Sequence, residues 1–172
     1  MKEAEKRKRF NQVYQDNKDM IFRLCRAFLG QSAEVEDLFQ EIFLKVWNHL
    51  DAYRGEAKIS TWIYRIGANT ALLYRKRSHR RKKRERAVED QKIQGITYDD
   101  TDLRAKKEHH RRFNELLGLI AELEEVDRII ISMFLEGFSY KEIAEVSGLT
   151  VNNIGVKLSR IKNRLKKKIK VS

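Results

Sequence analysis

The sequence contains no proline, only eight glycines and a single cysteine, Cys25. So few helix breakers leave long uninterrupted helices allowed, and an all-α chain is expected. One thiol excludes an internal disulfide and any multi-thiolate metal site. Its position inside the apolar run 21–29 makes Cys25 a small core residue, in keeping with a reducing compartment. No run approaches the roughly 18 apolar residues that a membrane span needs. The charged start, Lys2 to Arg9, lacks the apolar stretch of a signal peptide. A soluble, cytoplasmic protein with no membrane insertion is expected. The four histidines (His49, His79, His109, His110) lie in no metal-ligand or nucleophile spacing, and no glycine-rich phosphate loop follows a strand. The expectation is therefore no enzyme, no metal and no cofactor.

What the sequence has in excess is positive charge. Its 172 residues hold 37 Lys and Arg against 25 Asp and Glu, a formal net charge of +12, with a charged share of 36% and a hydrophobic share of 41%. Packed cores are affordable, and the basic balance favours a polyanionic partner. Both halves carry it: residues 1–90 have 21 basic and 13 acidic side chains (+8), and residues 91–172 have 16 and 12 (+4). The densest run holds Arg75, Lys76, Arg77, Arg80, Arg81, Lys82, Lys83, Arg84 and Arg86 against Glu85 alone. Like charges that crowded repel one another, and phosphate is their natural counter-charge.

Hydrophobic periodicity organises the chain. After a frayed lead-in over residues 2–9, a helix is expected from Phe10 to Gly30, with Val13, Ile21, Leu24, Cys25 and Phe28 inward. A second helix follows Ser32. Val35, Leu38, Phe39, Ile42, Phe43, Val46 and Leu50 form its buried face, and Asp37, Gln40, Glu41, Leu44, Lys45 and Asn48 its outer one. Tyr53 to Lys58 reads as a short loop around Gly55.

The helix over residues 58–77 should bury Ile59, Trp62, Ile63, Ile66, Thr70 and Leu73. Lys58, Arg65, Asn69 and Lys76 then lie on an adjacent flank, with Thr61, Tyr64 and Arg75 behind, and Ser60 or Thr61 available as a cap. Cations, an amide and aromatic edges are the groups that hold phosphates and read bases. Periodicity then lapses, and residues 87–110 read as a flexible linker.

Helical pattern resumes at Phe113 and again at Ile129, closing at Gly137. In the stretch that follows, small Ala144 allows a close helix crossing, and Gly148 allows a left-handed turn. Ile154 and Leu158 lock the next helix against the first. Together these are the constraints of a helix-turn-helix. Two small helical domains joined by a linker, the second with a helix-turn-helix, already predict a duplex-DNA binder.

The segments DLFQEIFLKVW (37–47), YRGEAKISTWIYRIGAN (53–69) and LEGFSYKEIAEVSGLTVNNIGVKLSRIKNRL (135–165) resemble bacterial RNA polymerase sigma factors of the extracytoplasmic-function (ECF) group. The resemblance implies a region 2-like domain over residues 1–86, which docks on core polymerase and recognises and melts the −10 element. It further implies the linker 87–110 and a region 4-like domain over residues 111–172 that meets the −35 element. Asp37, Gln40, Glu41 and Lys45 would contact core polymerase. Tyr53, Gly55, Lys58, Ile66 and Asn69 would form a pocket for a flipped promoter base beside Trp62, and Arg65, Arg75, Lys76 and Arg77 would hold phosphate. Ser139, Tyr140, Asn152, Asn153, Lys157, Ser159, Arg160 and Arg164 would meet −35 DNA. An anti-sigma factor is a further expected partner.

Two positions depart from the family pattern. Glu124 stands where a proline is usual, which should alter only the start of the following helix. Gly155 and Val156 stand where polar or basic residues open the recognition helix, so promoter choice is expected to rest more on the first domain. The competing function is a free-standing helix-turn-helix regulator, which would dimerise on paired half-sites and leave the helix at 35–50 without a purpose.

Overall fold

The computed structural model describes residues 3–85 and 104–169, and among them every regular element is helical. The first domain comprises α1 (Glu3–Leu29), α2 (Val35–His49), a 3-10 turn (Leu50–Ala52) and α3 (Ile59–Glu85). The second comprises α4 (Arg104–Ala121), α5 (Glu125–Leu135), α6 (Tyr140–Ser147) and α7 (Val151–Ile169). The all-α, two-domain expectation holds. Arg86 and residues 87–103 of the expected linker lie outside the described residues, and α4 begins at Arg104, inside the stretch assigned to that linker.

The charged lead-in is helical, seven residues before the expected start at Phe10. Its charges find partners. Glu3 accepts from Arg7 one turn on at 2.6 Å, Lys6 pairs with Asp51 and lies 4.8 Å from the Trp47 ring, and the acids of the first turn complement the helix dipole. In the first core, Ile21, Leu24, Cys25 and Phe28 meet Leu38, Ile42 and Val46 of α2 and Ile63, Ala68 and Ala71 of α3, all buried. Each such large side chain contributes about 1.5–3 kcal/mol by leaving water. Phe10, Tyr14, Phe39 and Phe43 meet with ring centroids 4.8–6.3 Å apart. That aromatic cluster fixes how α2 lies on α1, and so which face of α2 looks outward.

The buried stripe of α3 differs from the expected one. Leu73 is exposed, whereas Thr61 and Tyr64, assigned to the back of the helix, are fully buried. α3 is packed on two sides: α1 and α2 cover one, and α6 with the preceding turn covers the other. The ring of Tyr64 meets Phe138 edge-on at 5.3 Å. Thr61 does not cap the helix but donates to Glu142 at 3.1 Å. Gly67 sits where α3 crosses α1, and a Cβ there would stand 2.7 Å from a methyl of Leu24.

The second core gathers Leu117, Ile120, Leu123, Ile130, Met133, Ile143, Ile154, Leu158 and Ile161. At its edge the guanidinium of Arg128, 1% exposed, donates to the carbonyls of Ile120 (3.3 Å), Ala121 (2.7 Å) and Leu123 (2.6 Å). These carbonyls lie at the end of α4 and just past it, and that of Ile120 also accepts from the Leu123 N–H at 3.0 Å. The Arg128 guanidinium lies 5.0 Å from the Phe28 ring of the first domain, and burial holds its pKa down to about 10. Glu124 occupies the N-cap of α5 with φ −57° and no side-chain cap. That is a backbone geometry proline would share, so the departure from the family pattern leaves the helix start intact.

Candidate polymerase and nucleic-acid interfaces

The outer face of α2 stands clear of both cores. Asp37, Gln40 and Asn48 are exposed, and between them Leu44 keeps 63% of its surface in water. Glu41 is already engaged: Arg77 of α3 donates to it at 2.7 and 2.9 Å, and Lys45 lies at 3.1 Å. Burial raises the Glu41 carboxyl, but these cations outweigh it and the pKa is lowered. The four residues expected to contact polymerase thus share one face. Arg77, expected on phosphate, is joined to that face instead of standing alone.

The loop before α3 is held by its own aromatic. Tyr53 donates to the carbonyl of Ala57 at 2.6 Å, its ring lies 5.1 Å from Trp62 at 47°, and Arg9 lies 5.4 Å from it. Gly55 takes φ +79°, a left-handed turn that L side chains rarely adopt. Trp62 and Ile66 are half-buried and Asn69 is exposed, and of the residues expected around a flipped base Tyr53 and Trp62 are in ring contact. Further along, Arg75 and Lys76 line a groove faced by Glu122, Glu124 and Glu125 of the second domain. Thr70 is spent on α3 itself, donating to the Ile66 carbonyl at 2.7 Å.

Lys58 and Arg65 each have an acidic partner in the second domain, while the Lys58 side chain keeps 76% of its surface in water. Lys58 lies 3.2 Å from Glu142, and Arg65 pairs with Glu145. Both acids come from α6, which charge counting had treated as part of a basic, DNA-facing module. Glu142 also closes the capping box of α6. Its carboxylate accepts from the Ser139 backbone N–H at 2.8 Å, while Ser139 Oγ accepts from the Glu142 N–H at 3.3 Å. Those bonds from Ser139, then Lys58 and Thr61, hold its pKa down to about 2 against the effect of burial.

In the helix-turn-helix the spacing argument holds. Gly148 ends α6 with φ +72°, and the Ala144 carbonyl accepts from Gly148 and Leu149 at 3.0 and 3.2 Å. Ile154 and Leu158 are buried. Tyr140, Asn152, Asn153, Ser159, Arg160 and Arg164 are exposed. Ser139 is occupied as the cap, and Lys157 donates to Asp127 at 2.6 Å. Val151 and Val156 add exposed apolar surface to the same helix. Sequence reasoning missed Glu136, Glu142 and Glu145 as site neighbours. The only signal was that these three acids fall within ten residues around Ser139 and Tyr140, both expected on DNA. Among the described residues no helix is long and apolar enough to cross a membrane, and no cluster of three or more His, Cys, Asp or Glu is placed to hold a metal.

Comparison with known proteins covers most of the chain. Residues 13–82 match the Sigma-70 region 2 family and residues 113–165 the Sigma-70 region 4 family. The chain is 32% identical to RNA polymerase sigma factor YlaC of Bacillus subtilis, covering 92% of this chain and 88% of that one. It is 28% identical to the ECF RNA polymerase sigma-E factor of Haemophilus influenzae, covering 95% and 88%. The fold is shared with the sigma factor RpoE of Bartonella quintana, solved with the anti-sigma factor NepR (TM-score 0.71, 22% identity, 96% and 99% coverage), and with CnrH, solved with the cytosolic domain of CnrY (0.66, 22%, 96% and 90%). The chain belongs to the ECF group of RNA polymerase sigma factors, which bind core polymerase and direct promoter recognition and transcription initiation.

Proposed function

We propose that the two domains divide this work as region 2 and region 4 do, with the outer face of α2 as the polymerase dock. The observation that carries this is the exposed Leu44, set among Asp37, Gln40, Glu41 and Lys45 on a helix whose other face packs into the first core. A large exposed apolar group ringed by polar ones is the composition of an interface core and rim. The Tyr53–Trp62 pair, with Ile66, Asn69, Lys58 and Arg65 further along the start of α3, supplies the aromatic and hydrogen-bonding groups that an unpaired −10 base requires. Arg75, Lys76 and Arg77 supply phosphate contacts. On α7, Asn152, Asn153 and Arg160 offer polar readout of the −35 element, and Val156 suits a thymine methyl. Tyr140, Lys157, Ser159 and Arg164 complete that surface, with Ser139 as the cap that positions it.

The protein acts by binding alone, with no covalent step, in the cytoplasm where polymerase works. An anti-sigma factor is its expected regulator. The groove between α1, α4 and α5, with Phe22, Phe113 and Leu135 exposed along it, suits an amphipathic helix from such a partner. The test is co-purification with core RNA polymerase. The wild type should bind, and a Gln40→Ala, Glu41→Lys variant should lose tenfold or more. Equal binding by both would remove α2 as the dock, and binding by neither, with dimeric duplex-DNA binding, would favour a free-standing regulator.

A further inference from the structure

The basic lead-in of α1 reaches the loop before α3. Lys6 and Arg9, three residues apart on a helix, share one face. Lys6 pairs with Asp51 of the 3-10 turn and lies 4.8 Å from the Trp47 ring. Arg9 lies 5.4 Å from the Tyr53 ring, which lies 5.1 Å from Trp62. A guanidinium, a phenol and an indole, from three separate elements, thus follow one another in contact. The phenol hydroxyl is engaged by the Ala57 carbonyl at 2.6 Å, which fixes the ring. The guanidinium is not engaged in that way. Among the described residues Arg9 makes no ion pair, and the acid of the adjoining turn, Asp51, is taken by Lys6. A half-buried guanidinium seated on a ring keeps its N–H fork for another acceptor.

We propose that Arg9 is a further DNA-binding residue of the first domain, which holds a phosphate of the flipped −10 nucleotide from its seat on Tyr53. The inference rests on the reading of Tyr53 and Trp62 as the base pocket. A flipped nucleotide carries its own phosphates out of the duplex path, so the cation that meets them must stand beside the aromatic pair. Arg75 is thirteen residues beyond Trp62 on α3, about 20 Å along the axis at 1.5 Å per residue. Lys58 and Arg65 are closer, and each has an acidic partner on α6. Arg9 is beside the pair and has none. Its planar, weakly hydrated charge, already ordered on the ring, loses little freedom on meeting a phosphate oxygen.

The test uses purified holoenzyme assembled from core RNA polymerase and the full-length chain, as wild type, Arg9→Ala or Arg9→Lys. The probe is the fork-junction DNA that wild-type holoenzyme selects from a pool with a randomised single-stranded −10 overhang, read by fluorescence anisotropy. Abasic sites placed one at a time mark the flipped base as the position that weakens wild type most. Methylphosphonates then remove the charge of each phosphate flanking it. Arg9→Ala should bind the unmodified probe about tenfold more weakly, the size of one hydrogen bond to a charged group. Arg9→Lys should recover most of that loss, because a point charge also holds phosphate. On the probe that lacks the critical charge, wild type and Arg9→Ala should bind alike. Equal binding of the unmodified probe by these two overturns the proposal. So does a loss that persists on every methylphosphonate probe, which is what bracing of Tyr53 alone would give. If no abasic position weakens wild type, the base-pocket reading falls and Arg9 falls with it. If abasic sites matter and Arg9→Ala is neutral, Arg9 alone is removed.

Discussion

Two glycines inside helices look alike in sequence and differ in what surrounds them. Gly67 lies under a close crossing, where a Cβ would stand 2.7 Å from Leu24, itself 1% exposed and unable to swing into solvent. At Gly155 the nearest atom is a Tyr140 ring carbon at 3.7 Å, an ordinary contact. Gly67→Ala should therefore cost about 1–3 kcal/mol through overpacking. Gly155→Ala should gain up to about 1 kcal/mol from helix propensity. Chemical denaturation of the two variants checks both signs. Arg128 teaches the same lesson. In the run Asp127 to Met133 it reads as a surface cation, yet it is buried and ends α4 by binding three carbonyls. Nothing in local sequence marks a charge whose hydrogen-bond partners lie on a neighbouring helix end.

At the scale of one element, α6 is fixed by a motif that sequence does show. Ser139 with Glu142 three residues later is a capping box, and Gly148 supplies the left-handed stop. The strength of that cap is open to test by pH. The Glu142 carboxyl is held down to about 2, below the ordinary glutamate value of about 4.3. Its ionised form is thus favoured in the folded chain. The stability it contributes is complete above about pH 4.3 and is lost as pH falls towards 2. The groups facing it are Lys58 and Thr61 of the first domain and Ser139 of its own, with the Arg23–Glu136 pair nearby. Thermal unfolding of wild type should therefore decline more steeply between pH 4.5 and 2 than that of Glu142→Gln, which cannot titrate there. Parallel declines would mean that other carboxylates dominate.

For the whole molecule, the two domains differ in how they can recognise DNA. The first offers a tilted aromatic pair, Tyr53 with Trp62, and the Asn69 amide on a helix that also carries cations. The second offers Asn152, Asn153 and Arg160, but has Gly155 and Val156 where polar side chains would add hydrogen bonds to base edges. Transcription with core polymerase should therefore tolerate a scrambled −35 element far better than a scrambled −10 element. A loss at −35 equal to that at −10 would mean that α7 reads bases as fully as the first domain does. The domains also pack on each other, which two basic modules on a linker did not suggest. A net charge of +12 conceals complementary patches, because Arg23, Lys58 and Arg65 meet Glu136, Glu142 and Glu145.

The sequence by itself determined the helices, the inward faces of α1 and α2, the helix-turn-helix and the family. Those follow from spacing along the chain: a period of 3.6 residues, caps, and glycine where φ must be positive. Only the tertiary structure decided which face of α3 is covered, why Thr61 and Tyr64 are buried while Leu73 is not, and that acids of α6 pair with Lys58 and Arg65. Those outcomes depend on contacts between residues about eighty positions apart, and periodicity within one helix carries no information about which second surface will pack against it.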